Sequence, residues 1–277
     1  MRGQRPQPRP EGATRSRPVV AQIMRRQEPR LWSVGSVVVV LLTWEGLVRG
    51  GLVTTRFLPP PSHILAATWH LYVSGEMLEH LGASAASFAV GLGAAILLGV
   101  PIGLTVGWSP RLDALLAPYL AALYATPKLA LLPILIIWIG IGLGSVAAVV
   151  FLAALFPIVL NLATGVRATD VLLLRVARSF EAGDLRILWT IIMPSTVPFF
   201  LVGLRPGVIG SLVSIVVGEM YASRAGIGYL VAVMGATLQI TKMFGAVLVL
   251  TVSGLVAILA IDWLQKRVEA WRPARAS

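Results

Sequence analysis

The side chains that could carry out chemistry are few and widely spaced in this chain. Its 277 residues include 12 acidic residues, 3 histidines and no cysteine. His63, His70 and His80 lie seven and ten residues apart, which is not a zinc-binding spacing. No Ser-His-Asp set stands out, and the phosphate-binding pattern G-x-x-x-x-G-K-[ST] is absent. The sequence therefore predicts no enzyme, no metal site and no bound cofactor, so any nucleotide must be handled by another protein.

Composition assigns the chain to a lipid environment. Hydrophobic residues make up 57% of the chain, charged residues 13%, and the mean hydropathy is +0.83. Soluble domains carry about 25% charged residues. The net charge of +11 comes mainly from the tails and the connections between apolar runs. Basic residues there set orientation and meet anionic headgroups, so this charge does not indicate nucleic acid binding.

Six apolar segments have about the 20 residues needed to cross a membrane. The predicted spans are residues 31–48, 84–108, 115–139, 145–166, 196–218 and 244–264. Residues 1–30 are basic and proline-rich, and we expect a disordered cytoplasmic tail there, followed by a membrane domain over residues 31–277. Residues 219–242 are expected to form an extramembrane loop. Glu45, near the end of the first span, can pair with Arg49 one helical turn later.

The second and third predicted spans contain residues that shape helix packing. Gly99, Gly103 and Gly107 repeat every four residues, a spacing that lets a neighbouring helix approach closely. Three prolines, Pro127 among them, should break the third span. Lys128 follows Pro127 at a depth where a charge needs a wet path or a counter-charge. An anion-attracting role in a pore and snorkelling towards headgroups both remain open for Lys128.

The longest charged interruption, residues 167–194, separates the fourth and fifth predicted spans. Gly183 can end a first short helix, Asp184 can cap a second, and Pro194 ends the pattern. Each helix has apolar residues at helical spacing; they are Leu173, Val176, Ala177 and Phe180 in the first, and Leu185, Leu188, Trp189 and Ile192 in the second. Such a projection suits docking to a partner. A solvated connection between two spans is the alternative.

The distribution of lysine and arginine orients the chain. Six spans place both termini on one side, together with the second-to-third connection and the segment 167–194. That side carries 17 of the 23 basic residues, and the opposite side carries 4. By the positive-inside rule, the termini and the projection are cytoplasmic. The projection then faces the compartment that contains ATP.

The projection resembles the cytoplasmic loop of binding-protein-dependent ABC importer permeases. That loop reads Glu-Ala-Ala, three residues, Gly, nine residues, then Ile-x-Leu-Pro. The matching positions here are Ala177, Ile191 and Pro194, with Met193 at the leucine position. Arg175 and Val176 replace the Glu and the first Ala, and Glu181 replaces the Gly. The reversed charge at Arg175 should alter the docking contacts or be matched by a changed partner surface.

The substitution of glutamate for glycine at position 181 carries a backbone expectation. A non-glycine residue is uncommon at positive φ. We therefore expect Glu181 to be helical or otherwise to have a negative φ, with Gly183 taking over the turn. We also expect Glu181→Arg to reduce transport without unfolding the protein.

Further motifs, from about Leu31 to Arg272, resemble the nitrate, sulfonate and taurine branch of these permeases. They are WE at 44–45, FLPPPS at 57–62, GVPIG at 99–103, LLPI at 131–134, WIGIG at 138–142, FPI at 156–158, GLR at 203–205, GEM at 218–220 and GIGYL at 226–230. The resemblance implies an all-α protein of the bacterial inner membrane, with the six transmembrane helices of the type I importer permease fold and a cytoplasmic coupling helix. It also implies a cytoplasmic ATPase dimer, a second permease copy and a periplasmic binding protein that delivers a small anion.

The resemblance assigns expected roles to particular residues. Coupling to the ATPase is expected at Arg175, Ala177, Arg178, Glu181, Gly183, Asp184, Ile191 and Pro194. The translocation pathway is expected to include Pro127, Lys128, Trp138 and Glu219. The expected mechanism is alternating access driven by ATP binding and hydrolysis in the partner. A channel or secondary carrier that needs no ATPase, and a relative that does not transport, are the alternatives.

Overall fold

The computed structural model describes residues 19–269, and the regular structure within that range is helical. The chain divides into two compact units, Met1–Pro61 and Ser62–Ser277. The first unit contains α1 (Val19–Arg49), which includes the predicted first span. Within α1, Arg49 Nε donates to Glu45 Oε1 at 2.6 Å, so the predicted pair is confirmed. Most of the predicted basic tail, residues 1–18, lies outside the described residues.

The described part of the second unit is a succession of helices joined by short turns. Two of the joints are tight helical turns: a 3₁₀ turn at Lys128–Leu131 and a π-helical turn at Leu188–Ile192. The helices are α2 (Pro61–Val73), α3 (Glu76–Trp108), α4 (Pro110–Ala125), α5 (Leu132–Ile139), α6 (Leu143–Arg167), α7 (Val171–Ser179), α8 (Asp184–Ile187), α9 (Met193–Ala222), α10 (Ile227–Ala236) and α11 (Ile240–Glu269).

Four stretches of described helix are long and apolar enough to cross a membrane. They are Glu76–Trp108, Leu143–Arg167, Asp184–Ala222 and Ile240–Val268. A fifth is formed if Pro110–Ala125 and Lys128–Ile139, which meet at a bend of 87°, count as one broken span. The break lies at Pro127, one of the three prolines that predicted it in the third span. The N-terminal span remains a prediction, because some side chains of residues 31–48 lie outside the described set.

The helix α6 is the centre of the second unit, and α3 packs against it through glycines. A Cβ atom on Gly103 would lie 2.8 Å from Leu162 Cβ and 2.9 Å from the Val159 carbonyl oxygen. Gly107 approaches Val166 as closely. The predicted small-residue face is therefore confirmed, and α6 is its partner. Close backbone approach matters here because lipid offers the helices no hydrophobic reason to associate.

The remaining spans pack on this pair. Leu204 of α9 and Ile261 of α11 join residues of α3 and α6 in one apolar cluster. An ion pair of 3.0 Å between Arg205 and Asp262 connects α9 to α11. A second cluster buries one face of α10, including Leu230, against α2, α3 and α11.

Two predicted boundaries of the fifth span are wrong. Pro194 does not end a helix, because the chain stays helical from Asp184 to Ala222. A proline lacks the N–H that would bond to the preceding turn. The π-helical turn just before Pro194 changes the hydrogen bonding from i→i−4 to i→i−5, with the Met193 N–H donating to the Leu188 carbonyl. Glu219 also lies inside α9 and not in a loop. The helix can continue past this carboxylate because it finds donors inside the protein.

Gly103→Val is expected to destabilise the protein by about 1–3 kcal/mol, because the added side chain overlaps α6. Gly93→Val is the matched control: it introduces the same residue in the same helix, where a Cβ meets nothing within 4 Å. The measurement is the melting temperature of the purified protein in detergent. Equal melting temperatures for the two variants would contradict this packing.

Candidate functional site

The projection between α6 and α9 is held to the membrane helices by an apolar inner face. Asp170 begins α7, and its Oδ1 accepts from the Leu172 N–H at 2.8 Å. Leu174, Ala177, Ala182, Ile187 and Ile191 then pack in one cluster with Leu104 of α3 and Val166 of α6. Of the predicted coupling residues, Ala177 and Ile191 thus lie on the inner face. Pro194 lies two residues into α9 and is exposed.

The outer face of the projection is apolar as well, and it is exposed. We call it the projection surface: Leu172, Leu173, Val176, Phe180, Leu185 and Trp189. Phe180 is 81% exposed and Leu185 is 74% exposed. The face predicted from Leu173, Val176 and Phe180 is therefore the outward one, and Leu174 supplies the inward contact. The second predicted set is split, with Leu185 and Trp189 outside and Ile192 buried. A group of exposed apolar side chains on one projection is typical of an interaction site.

The turn after α7 contradicts the expectation for Glu181. Its φ is +56°, in the left-handed region, whereas Gly183 has φ −66° and extended backbone. The Ala182 N–H donates to the Ala177 carbonyl at 3.1 Å, and the Glu181 N–H donates to the Arg178 carbonyl at 3.0 Å. This pair of bonds is a Schellman motif, which requires the left-handed conformation at position 181. The bonds and the burial of both alanines in one cluster outweigh the cost of about 1 kcal/mol for a non-glycine residue there.

The charged residues of the projection lie around its rim. Arg178 and Asp184 approach to 3.5 Å, but both are largely exposed, so the pair adds little stability. The prediction that Asp184 caps α8 is wrong, because Asp184 is the first residue of that helix. The cap position is Gly183, which makes no side-chain hydrogen bond. Arg175 is exposed. Arg167 at the end of α6 pairs with Asp113 of α4 at 2.9 Å.

The break between α4 and α5 places Lys128 beside aromatic rings. Its Nζ donates to the Tyr124 carbonyl and lies 4.8 Å from the Tyr124 ring centroid and 5.8 Å from that of Phe156. Among the described residues, no carboxylate lies within ion-pair distance of it. Pro127 ends the preceding turn with extended backbone. Trp138, on α5, is 77% exposed.

Glu219 lies in a different environment from Lys128. It is 1% exposed, and its Oε2 accepts from Ser84 Oγ at 2.9 Å and from the Gly228 N–H at 2.8 Å. The Glu219 hydrogen bonds run to α3 and α10 and not to Pro127, Lys128 or Trp138. Sequence analysis missed Ser84 and the role of Gly228. The available signal was the spacing of Glu219 from the Gly-Ile-Gly run at 226–228.

Together, packed apolar helices, a broken span and an exposed apolar projection define a membrane transport subunit. The family described as "Binding-protein-dependent transport system inner membrane component" has a model that matches residues 95–272. The chain belongs to this family and is the transmembrane permease subunit of an ATP-driven ABC importer of the inner membrane.

Several curated relatives match most of the chain. The taurine transport system permease protein TauC of Escherichia coli (strain K12) is 30% identical over 244 residues, covering 86% of this chain and 89% of that protein. The aliphatic sulfonates transport permease protein SsuC of Bacillus subtilis (strain 168) is 30% identical over 84% of this chain and 85% of its own. The formylaminopyrimidine transport permease protein ThiX of Halalkalibacterium halodurans is 28% identical over 90% of this chain and 99% of its own.

A solved structure has the same fold. A chain of the MetNI methionine ABC transporter, in an inward-facing conformation, superposes with a TM-score of 0.57 at 15% identity. The match covers 70% of this chain and 97% of that one. The predicted all-α importer permease fold is thereby confirmed.

Glu181→Gly is expected to stabilise the protein by about 1 kcal/mol, because glycine adopts the left-handed conformation without steric cost. Gly183→Ala is the comparison. It should leave stability unchanged or raise it by about 0.5 kcal/mol, since φ is negative and a Cβ there meets nothing within 4 Å. Melting temperatures of the two variants measure this. A loss of stability in Gly183→Ala without a gain in Glu181→Gly would indicate that Gly183, and not Glu181, is the left-handed residue of this turn.

Proposed function

We propose that this subunit imports a small sulfonate such as taurine, with a cytoplasmic ATPase docked on the projection surface. A second permease copy completes the pathway, and a periplasmic binding protein delivers the solute. Support for the substrate class comes from the names of the relatives TauC and SsuC. The exposed projection surface is the observation that carries the coupling role.

The projection has the features of a docking surface that transmits motion. Its outer face offers Phe180 and Leu185, which fit an apolar cleft in a partner, and its inner face is buried against α3 and α6. Because the helix runs without interruption from Asp184 to Ala222, a partner that moves the projection also moves α9. In this proposal the ATPase dimer closes on ATP binding and pulls the two permease copies between their outward-facing and inward-facing states.

The residues of the projection divide between these tasks. Arg175, Arg178, Glu181 and Asp184 stand at the rim, where they meet polar groups of the ATPase and set register. Ala177 and Ile191 hold the surface in shape from the inner face, Gly183 belongs to the turn, and Pro194 lies in the first turn of α9, which carries the motion onward. Docking requires this face to be cytoplasmic, as the distribution of basic residues predicts, with both termini on the same side.

The translocation pathway is proposed to pass the break between α4 and α5. Lys128 places a cation at this break, where an anionic solute would find an attractive charge in a region of low dielectric constant. Pro127 maintains the break, and Trp138 lies on the exposed face of α5. The relative ThiX favours a second candidate, a heterocyclic solute of the formylaminopyrimidine kind.

Phe180→Ala is expected to lower the amount of ATPase retained by the purified permease about tenfold, since an exposed aromatic anchor contributes most to binding. Leu238→Ala is the matched control, because this residue is 68% exposed in the turn before α11, on the predicted opposite side. A cysteine at Phe180 should also cross-link to the ATPase, and no native cysteine competes. Full ATPase retention in Phe180→Ala, with no cross-link, would rule out docking here.

Lys128→Gln is expected to reduce taurine uptake about tenfold at low concentration, because the cation that attracts the sulfonate is lost. Uptake of a neutral formylaminopyrimidine should not change. Lys242→Gln removes a surface lysine outside the break and should leave both uptakes intact. Uptake of formylaminopyrimidine but not of taurine by the wild-type system would replace the sulfonate proposal with the second candidate.

A further inference from the structure

The buried carboxylate of Glu219 joins three helices at one point. Glu219 belongs to α9, Ser84 to α3, and Gly228 to the first turn of α10. Both hydrogen bonds, of 2.9 and 2.8 Å, end on the same oxygen, Oε2. The importer mechanism proposed above makes no use of this group, although a buried carboxylate in a membrane span is costly. Its position therefore requires a reason of its own.

The start of α10 shows what the carboxylate does. The first N–H groups of a helix have no partner within that helix. Here the Gly228 N–H donates to Glu219, the Ile227 N–H donates to Ser84 Oγ at 2.9 Å, and the Gly226 N–H donates to His80 Nδ1 at 3.1 Å. All three acceptors come from other helices, and the cap residue Gly226 has no side chain. The amino end of α10 is thus capped by side chains of α3 and α9.

Two glycines make this close approach possible. A Cβ atom on Gly226 would overlap the Glu219 carboxyl group, and one on Gly228 would lie 2.9 Å from Glu219 Cβ. No other residue at these two positions would leave room for the carboxylate. The Gly-Ile-Gly run and Glu219 therefore form one structural unit, in which the hydrogen-bonded residues Glu219 and Gly228 are nine residues apart in sequence. The isoleucine between the glycines is buried.

Helix α10 depends on this cap for its position. Its ten residues extend about 15 Å, half of what is needed to cross the hydrocarbon. Its apolar contacts run through Leu230 and Met234 against α2, α3 and α11, and the ring of Tyr229 lies 5.9 Å from that of His80. Such contacts tolerate sliding, whereas three directed hydrogen bonds fix both distance and direction. Without the carboxylate, the buried Gly228 N–H and the Ser84 hydroxyl would lose their acceptor.

We infer that Glu219 is a positioning residue for transport: it fixes α10 to α3 and α9, so that the three helices move as one body through the cycle. Because α9 is continuous with α8 in the projection, the carboxylate passes the motion of the projection surface on to α10. This last step rests on the proposed ATPase docking, whereas the attachment of α10 does not. The inference is independent of the identity of the solute.

The test is hydrogen–deuterium exchange of the assembled transporter in lipid nanodiscs, together with uptake in reconstituted vesicles. In Glu219→Leu, amides of residues 223–236 should exchange at least about tenfold faster than in the wild type, while those of α6 stay unchanged. The maximal uptake rate should fall about tenfold with the ATPase still retained. Glu219→Gln keeps an acceptor oxygen and should restore most of the protection and of the uptake.

Two results would overturn the inference: unchanged exchange of residues 223–236 in Glu219→Leu, or equal loss of protection in the Leu and Gln variants. Retention of the ATPase in the same samples separates this failure from a failure of docking. If Glu219→Leu does not fold, Ser84→Ala replaces it, since Glu219 keeps its bond to Gly228 while Ile227 loses its acceptor. Faster exchange confined to residues 223–236 supports the inference. Wild-type exchange in Ser84→Ala would show that α10 is not fixed to α3 through Ser84 and Glu219, which overturns the single body of three helices.

Discussion

The close approach of α3 and α9 to α6 is the contact on which the rest of the second unit depends. In lipid, backbone polar groups are satisfied inside each helix, and apolar side chains gain little by leaving the tails for one another. Gly103 of α3 and Gly203 of α9 let the helix surfaces meet at backbone distance, where dispersion contacts are most numerous. The projection, the broken span and α10 are all attached to the ends of these three helices.

The charged side chains within the helix bundle lie where neighbouring helices offer them partners. Arg205 meets Asp262 across α9 and α11, and Glu219 meets N–H and O–H donors from two helices. Lys128 lies over aromatic rings at the break between α4 and α5. The first two hold the protein together, and of the Glu219 oxygens only Oε2 has hydrogen-bond partners among the described residues, since Oε1 is buried without one. The cation at Lys128 is the one we assign to the solute.

The features that the sequence predicted depend on local chemistry. Apolar length located four spans, and a fifth if the broken pair is counted as one; prolines located the break, and glycine spacing located the α3 face. The errors fell where tertiary packing decides. Glu181 adopts a left-handed conformation because Ala177 and Ala182 must both reach the cluster beneath α7. Glu219 was placed in a loop because its donor on α3, Ser84, is distant in sequence, and its nearer donor, Gly228, is marked in the sequence only by a glycine spacing.

The continuous helix from Asp184 to Ala222 has a mechanical consequence. Its 39 residues extend about 58 Å at the rise of an α-helix, so one continuous helix leads from the projection through the bundle. Close packing against α6 near its middle makes that contact a fulcrum. A small sideways displacement at one end then becomes a tilt, and the other end moves in the opposite direction. A continuous helix of this kind inverts a movement, which is the geometry that an alternating opening of two sides requires.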